Sequence, residues 1–206
     1  MKIQFGKYRN KPYKFILDLE PTYINWLLKQ PWFSSNYLDH YEHCKHLLKT
    51  NIIDYNDDII VYTDGSCPNN GKKNSEGGIG IHFSEKNKIK FKDVSEKLCI
   101  TSATNNIAEL CAIQRAIEIT MGYDNVKLYT DSKYSINVIT KWYDIWVRKG
   151  LLKNKKNIDM IQTICQLYKQ SNVELIHVRA HTGKMDEHSI GNMIADRLAG
   201  DSLKII

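Results

Sequence analysis

The sequence predicts an α/β fold in which five short strands alternate with amphipathic helices, preceded by a small module of different texture. Two observations predict the α/β part. Ile59-Ile60-Val61-Tyr62 and Val126-Lys127-Leu128-Tyr129 are β-branched and aromatic runs too short for helices, and each is followed by Thr and then Asp, at Asp64 and Asp131. A third observation, the different texture of roughly the first 50 residues, where cations alternate with aromatics, predicts the module.

Composition bounds the function. With 206 residues, 42% of them hydrophobic, the chain can bury one full core and leave room for a smaller one. The net charge of +6, from 29 basic and 23 acidic side chains, favours a polyanionic partner. The five cysteines, Cys44, Cys67, Cys99, Cys111 and Cys165, are odd in number and never spaced as CxxC, which argues against a disulfide framework or a zinc ribbon. No run of 18 apolar residues occurs, and the start MKIQFGKYRN lacks the apolar centre of a signal peptide. A soluble intracellular monomer is expected, in cytoplasm or nucleus, with no membrane partner.

In residues 1–52, Lys2, Lys7, Arg9, Lys11 and Lys14 alternate with Phe5, Tyr8, Tyr13 and Phe15, and Tyr23 to Leu28 has helical spacing. Such rings can stack bases beside phosphate-neutralising cations, or simply form a small core; the second is the commoner outcome. If 37–49 is helical, His40, His43 and Cys44 share a face, but a closed zinc site wants a fourth ligand, so a surface helix end is expected. Asn51 to Asp58 is the expected boundary.

Asp64 opens onto Gly65, Ser66, Pro68, Asn69, Asn70 and Gly71, a turn-forming loop at the carboxyl edge of a core strand, where open α/β sheets place ligands. Gly77 to Phe83 and Lys88 to Val94 alternate as strands around a turn at Asn87, giving an antiparallel meander with the first strand. Thr101 to Asn106 leads into a helix capped by Thr104 or Asn105. On it Glu109 shares the inward stripe of Ala112, Ile113 and Ala116. A buried glutamate is costly unless paired or metal-bound.

After Asp131 comes a helical stretch over 132–140. A basic, aromatic protrusion follows from Lys141 to Lys156, with Trp142 and Trp146 among six cations and one acid, better explained by a nucleic-acid strand than by solvent. Asn157 to Tyr168 is amphipathic, and Val173 to Val178 is the last strand. Past it, His181 sits in a polar loop before a helix on which Asn192 and Asp196, four apart, share a face. There His181 becomes a candidate proton donor. Aligned acids at one sheet edge repel one another unless a cation lies between them.

Taken together, Tyr-Thr-Asp64-Gly-Ser, Thr104-Asn105-Asn106-Ile107-Ala108-Glu109, Tyr-Thr-Asp131-Ser, His181-Thr-Gly and Asn192-x-x-Ala-Asp196 resemble the type 1 ribonuclease H catalytic domain over residues 58–203. The resemblance implies a ribonuclease H-like fold, a five-stranded mixed sheet flanked by helices. It implies an endonuclease that hydrolyses the RNA strand of RNA–DNA hybrids, with two Mg²⁺ ions (or Mn²⁺) held by Asp64, Glu109, Asp131 and Asp196, and His181 assisting proton transfer. Hard divalent ions do prefer carboxylate oxygen, which suits those four acids. It further implies RNA contacts from Cys67, Asn69, Asn70 and Asn105, a DNA-phosphate site at Thr104 and Asn157, a DNA channel at Tyr134 and Trp142, and a substrate-side role for Asn192.

Several features depart from the family's pattern: Ser102 where many relatives carry Arg, a shorter basic protrusion, and a longer loop between His181 and Asn192. Phe5-Gly6-Lys7-Tyr8 with Tyr23, Trp26, Leu27 and Pro31-Trp32 resembles a short module appended to some exonucleases, which implies docking or nucleic-acid contact. Two other readings are a DNA nuclease of the same superfamily and a non-catalytic hybrid-binding protein. The loop asparagines and His181 disfavour the first, and the presence of all four acids disfavours the second.

Overall fold

The computed structural model describes residues 1–50, 58–70, 72–88, 90–100 and 102–204. Of the expected boundary at 51–58 all but Asp58 lies outside the described residues, as do Gly71 and Thr101 of the two loops. By internal contacts the chain divides into Met1–Asp57 with Met121–Asp124, and Asp58–Thr120 with Asn125–Ile206.

In the first unit four short helices, α1 (Tyr13–Leu19), α2 (Pro21–Leu28), α3 (Pro31–Asn36) and α4 (Leu38–Thr50), follow one another closely. Proline opens α2 and α3, where its fixed φ suits the first turn and its missing N–H costs nothing. Ile3, Tyr13, Ile16, Leu17, Ile24, Leu27, Phe33 and Cys44 form its core. Cys44 is thus spent on packing, and His40 Nδ1 lies 2.8 Å from the Tyr13 hydroxyl.

The second unit is built on β1 (Ile59–Ser66), buried continuously from Ile59 to Asp64. It pairs antiparallel with β2 (Gly78–Phe83), which pairs antiparallel with β3 (Val94–Lys97). On its other side it pairs parallel with β4 (Val126–Thr130), and that strand with β5 (Val173–His177). The result is a mixed five-stranded sheet of order β3-β2-β1-β4-β5. Helix α5 (Asn105–Ile119) turns a stripe of Ile107, Ala108, Leu110, Ala112, Ile113, Ala116 and Ile117 onto β1. Of its two candidate caps the structure uses Thr104, whose Oγ1 accepts from Ile107 N at 3.3 Å. A helical run follows β4: α6 (Lys133–Asn137), a π-helical turn over Val138–Trp142, and α7 (Tyr143–Arg148). Helices α8 (Ile158–Gln170) and α9 (Glu187–Asp201) complete the unit, α9 lying on β1 and β2.

The third strand differs from the expected 88–94. Buried Asn87 accepts from Ile60 N at 2.9 Å and donates to the Asp58 carbonyl at 3.3 Å, which pins a 3-10 turn over Glu85–Asn87 against β1. Phe91 then stacks on Phe83 at 4.6 Å from a loop, so its apolarity marked a packing contact and pairing starts only at Val94.

Candidate active site

Asp64 and Asp131 reach the same place because β1 and β4 are parallel and in register, Thr63 facing Thr130, so both strands release their acids at one edge. Asp64 pairs across β2 with Gly80. A Cβ on Gly80 would fall 2.0 Å from the Ala195 carbonyl oxygen and 2.5 Å from Ala199 N, so α9 rests directly on the strand backbone there. The neighbouring Gly65 points to the opposite face. A Cβ on it would fall 2.2 Å from Glu109 N, so only glycine lets α5 come close enough to place Glu109 beside Asp64.

Ligand atoms of Asp64, Glu109 and Asp131 lie within 4.8 Å of one another. Asp64 is 7% exposed, and burial, then the charges of Asp131 and Asp196, push its carboxyl up to about 7. Burial, then Asp64 and Asp131, push Glu109 up to about 9, against a hydrogen bond from the Gly65 N–H. Glu109 Oε2 is buried with no hydrogen-bond partner among the described residues. A carboxyl with a buried oxygen that lacks a hydrogen bond, gathered with two further carboxyls, must hold a proton or a cation, and a hard cation suits the all-oxygen set.

Asp196 is exposed and stands outside this trio, close enough for its charge to act on both buried acids. It lines a cavity of about 330 Å³ together with His181, Lys184, Ser189, Asn192 and Met193, so the loop before α9 and the helix itself share one recess. His181 is exposed and holds a positive φ of 48°. Asn192 is 4% exposed and donates from Nδ2 to Asp131 Oδ2 at 3.1 Å, so it orients an acid as well as lining the recess.

The other expected contacts divide by exposure. Asn69, Asn70 and Asn105 are exposed, Asn70 Oδ1 accepting from Asn105 N at 3.1 Å, which ties the loop after β1 to the start of α5. The Cys67 side chain is 4% exposed and donates to the Ala103 carbonyl at 3.3 Å, leaving only its backbone to meet a ligand. Tyr134 and Trp142 make an edge contact at 6.0 Å, Trp146 continues the row at 6.3 Å, and Lys155 Nζ lies 4.5 Å over the Trp146 ring. Asn157 is exposed at the start of α8 in a left-handed conformation, φ 57°. Ser102 is also left-handed and exposed, φ 62°. Sequence reasoning missed the parts played by Gly65, Gly80 and Asn192. The glycines at alternate positions 78 and 80 of a strand were the available signal.

A mixed sheet of order β3-β2-β1-β4-β5 with acids gathered at the edge of its central strands defines the ribonuclease H-like class. The chain belongs to the RNase H family, whose profile matches residues 56–204. It is 38% identical over 144 residues to a probable ribonuclease H of Acanthamoeba polyphaga mimivirus, covering 66% of this chain and 62% of that protein. It is 33% identical over 158 residues to the ribonuclease H of Clostridium botulinum, covering 70% of this chain and 95% of that protein. Among solved structures, the PFV RNase H domain superposes with a TM-score of 0.54 at 25% identity, covering 70% of this chain and 93% of that one. Members of this family generally use a divalent metal.

Proposed function

We propose that the chain is an endonuclease that hydrolyses the RNA strand of RNA–DNA hybrids, leaving 5′-phosphate and 3′-hydroxyl ends. The catalytic work is assigned to residues 58–203, acting as a monomer, and residues 1–52 form a separate module. The observation that carries the reading is the convergence of Asp64, Glu109 and Asp131, whose ligand atoms lie within 4.8 Å of one another. Asp64, Glu109 and Asp131 would hold one divalent ion, Mg²⁺ or Mn²⁺, and Asp64 with Asp196 a second. When bound, such a pair supplies an activated water and neutralises charge on the leaving oxygen.

The chain's own groups do the rest. Asn192 fixes the carboxylate plane of Asp131 through its amide. His181, exposed at the mouth of the recess, is placed to exchange a proton with water or with the departing strand. Asn69, Asn70 and Asn105 present amides to the RNA edge, where a 2′-hydroxyl can both donate and accept. Thr104 and Asn157 would take a DNA phosphate, and Tyr134 with Trp142 the DNA strand behind it.

The test offers labelled hybrid, duplex RNA and duplex DNA to the protein with Mg²⁺ or EDTA, beside Asp64→Asn. Cutting confined to the RNA of the hybrid, and lost with EDTA or Asp64→Asn, is the expected result. Metal-independent cutting rejects the mechanism, and equal cutting of duplex DNA favours a DNA nuclease on the same fold.

A further inference from the structure

The N-terminal unit carries a charge and a ring arrangement that the site above does not use. Residues 1–52 hold eight basic and four acidic side chains, so a quarter of the chain bears +4 of its net +6. The first 14 residues contain five cations and no acid. These cations are not spread over an inert surface. The turn that bears Phe5, Lys7 and Tyr8 folds against α2 and α3 so that rings touch in series: Tyr8 to Tyr23 at 4.9 Å, Tyr23 to Trp26 at 5.6 Å, Trp26 to Trp32 at 6.4 Å, Trp32 to Phe5 at 5.2 Å.

The middle of that series is open. Trp26 is 48% and Trp32 38% exposed, although the unit buries Tyr13 and Phe33 completely. Rings surplus to a core are expensive to leave wet unless something covers them. One cation stands at the end of this series, and Lys11 Nζ lies 5.5 Å over the ring of Phe15 on α1. Lys7 Nζ lies 4.8 Å over the Tyr8 ring at one end of the series, bonded to Glu20 at 2.9 Å. Arg9, Lys11 and Lys14 are exposed and meet no acid among the described residues.

We infer that the Trp26–Trp32 face of the N-terminal unit binds a single strand of nucleic acid, stacking unpaired bases on the two indoles while the cations of the first 14 residues meet its phosphates. Unpaired bases are required because a ring can stack only on a base face that pairing and neighbours leave free. A nucleic acid suits the face better than a protein does. Lysine is depleted at protein interfaces, whereas exposed aromatic rings in a unit whose first 14 residues carry five cations and no acid match a polyanion with planar groups. Stacking on an indole ignores the sugar, so DNA and RNA strands are one ligand here.

The experiment uses the full chain in EDTA, which silences hydrolysis, and reads the anisotropy of a labelled strand of about 15 nucleotides, a length that spans one stacking platform with room to spare. The strand is offered as DNA and, separately, as RNA. Both are expected to bind within a few-fold of each other and more tightly than the blunt duplex of the same sequence. Trp26→Ala with Trp32→Ala should weaken strand binding at least tenfold, since one lost stack is worth about fivefold or more. The same variant should cut a short blunt hybrid in Mg²⁺ at the unaltered rate, which separates this face from the catalytic unit. Should the double variant melt early, a second one decides: Lys7→Gln, Arg9→Gln, Lys11→Gln and Lys14→Gln together touch no buried side chain. That variant should make log affinity fall less steeply with log salt, by roughly 0.7 for each phosphate that no longer meets a cation. Strand binding unchanged within twofold in the ring variant, or a salt slope unmoved in the charge variant, overturns the inference and leaves the face to a protein partner.

Discussion

Asp64 and Glu109 carry carboxyls raised to about 7 and about 9, both above the values of an unfolded chain. The folded protein therefore holds protons that the unfolded chain releases from about pH 4 upward, so stability from these two groups is whole below about pH 4. It is lost as pH rises through 7 and then 9. The metal-free melting temperature should fall across that window. Mg²⁺ should raise it more at pH 8 than at pH 5.5, because protons and metal compete for the same oxygens. Differential scanning fluorimetry across pH with EDTA or Mg²⁺ checks both. Asp64→Asn should flatten the fall while cutting hydrolysis at least 100-fold. Asn192→Ala frees the Asp131 carboxylate and should lower kcat about 10- to 100-fold with KM nearly unmoved, the size of effect seen when a ligand loses its orienting partner. The acids were legible in the sequence because two strands repeat one design and Glu109 breaks an apolar stripe. The role of Asn192 was not, since its partner lies 61 residues away and only the fold brings them together.

Helices reach the acids through places where a strand has no side chain. At Gly65 an added methyl meets helix backbone at 2.2 Å, and backbone cannot swing aside as a flexible side chain can. Gly65→Ala should cost about 2 kcal/mol or more in denaturant unfolding and weaken Mg²⁺ binding by displacing Glu109. Thr104→Ala, which removes a helix cap without touching the acids, should cost about 1 kcal/mol and leave metal binding intact. Isothermal titration with Mg²⁺ separates the two variants, and equal metal affinity in both would refute the close-approach argument. At this scale the long periodic pieces were readable, α5, α8 and α9, and so were β1, with its unbroken apolar start, and β2, β4 and β5. The third strand was misplaced because Ile89 and Phe91 mimic alternation, whereas Asn87 holds that stretch as a turn and delays pairing to Val94.

Across the whole molecule, a net charge of +6 with a basic, tryptophan-bearing segment from 141 to 156 implies phosphate contacts in number. Affinity for a hybrid in Ca²⁺ or EDTA should fall at least tenfold between 50 and 200 mM salt. A flat dependence in a filter-binding assay would mean that the cations do not meet phosphates. The two compact units, the first of which also takes in Met121–Asp124, differ in texture, because mixing rings with cations differs in kind from alternating strands and helices. That Trp26 and Trp32 stay open was not visible, since exposure belongs to packing and not to composition. In the second unit three acids are fixed by a rigid strand edge and a helix wedged against it, while the fourth rides uncovered on a separate helix beside a loop. On the proposed function, such a division would keep three metal-holding carboxylates seated at the sheet edge while the fourth stays open to solvent and to whatever the recess receives.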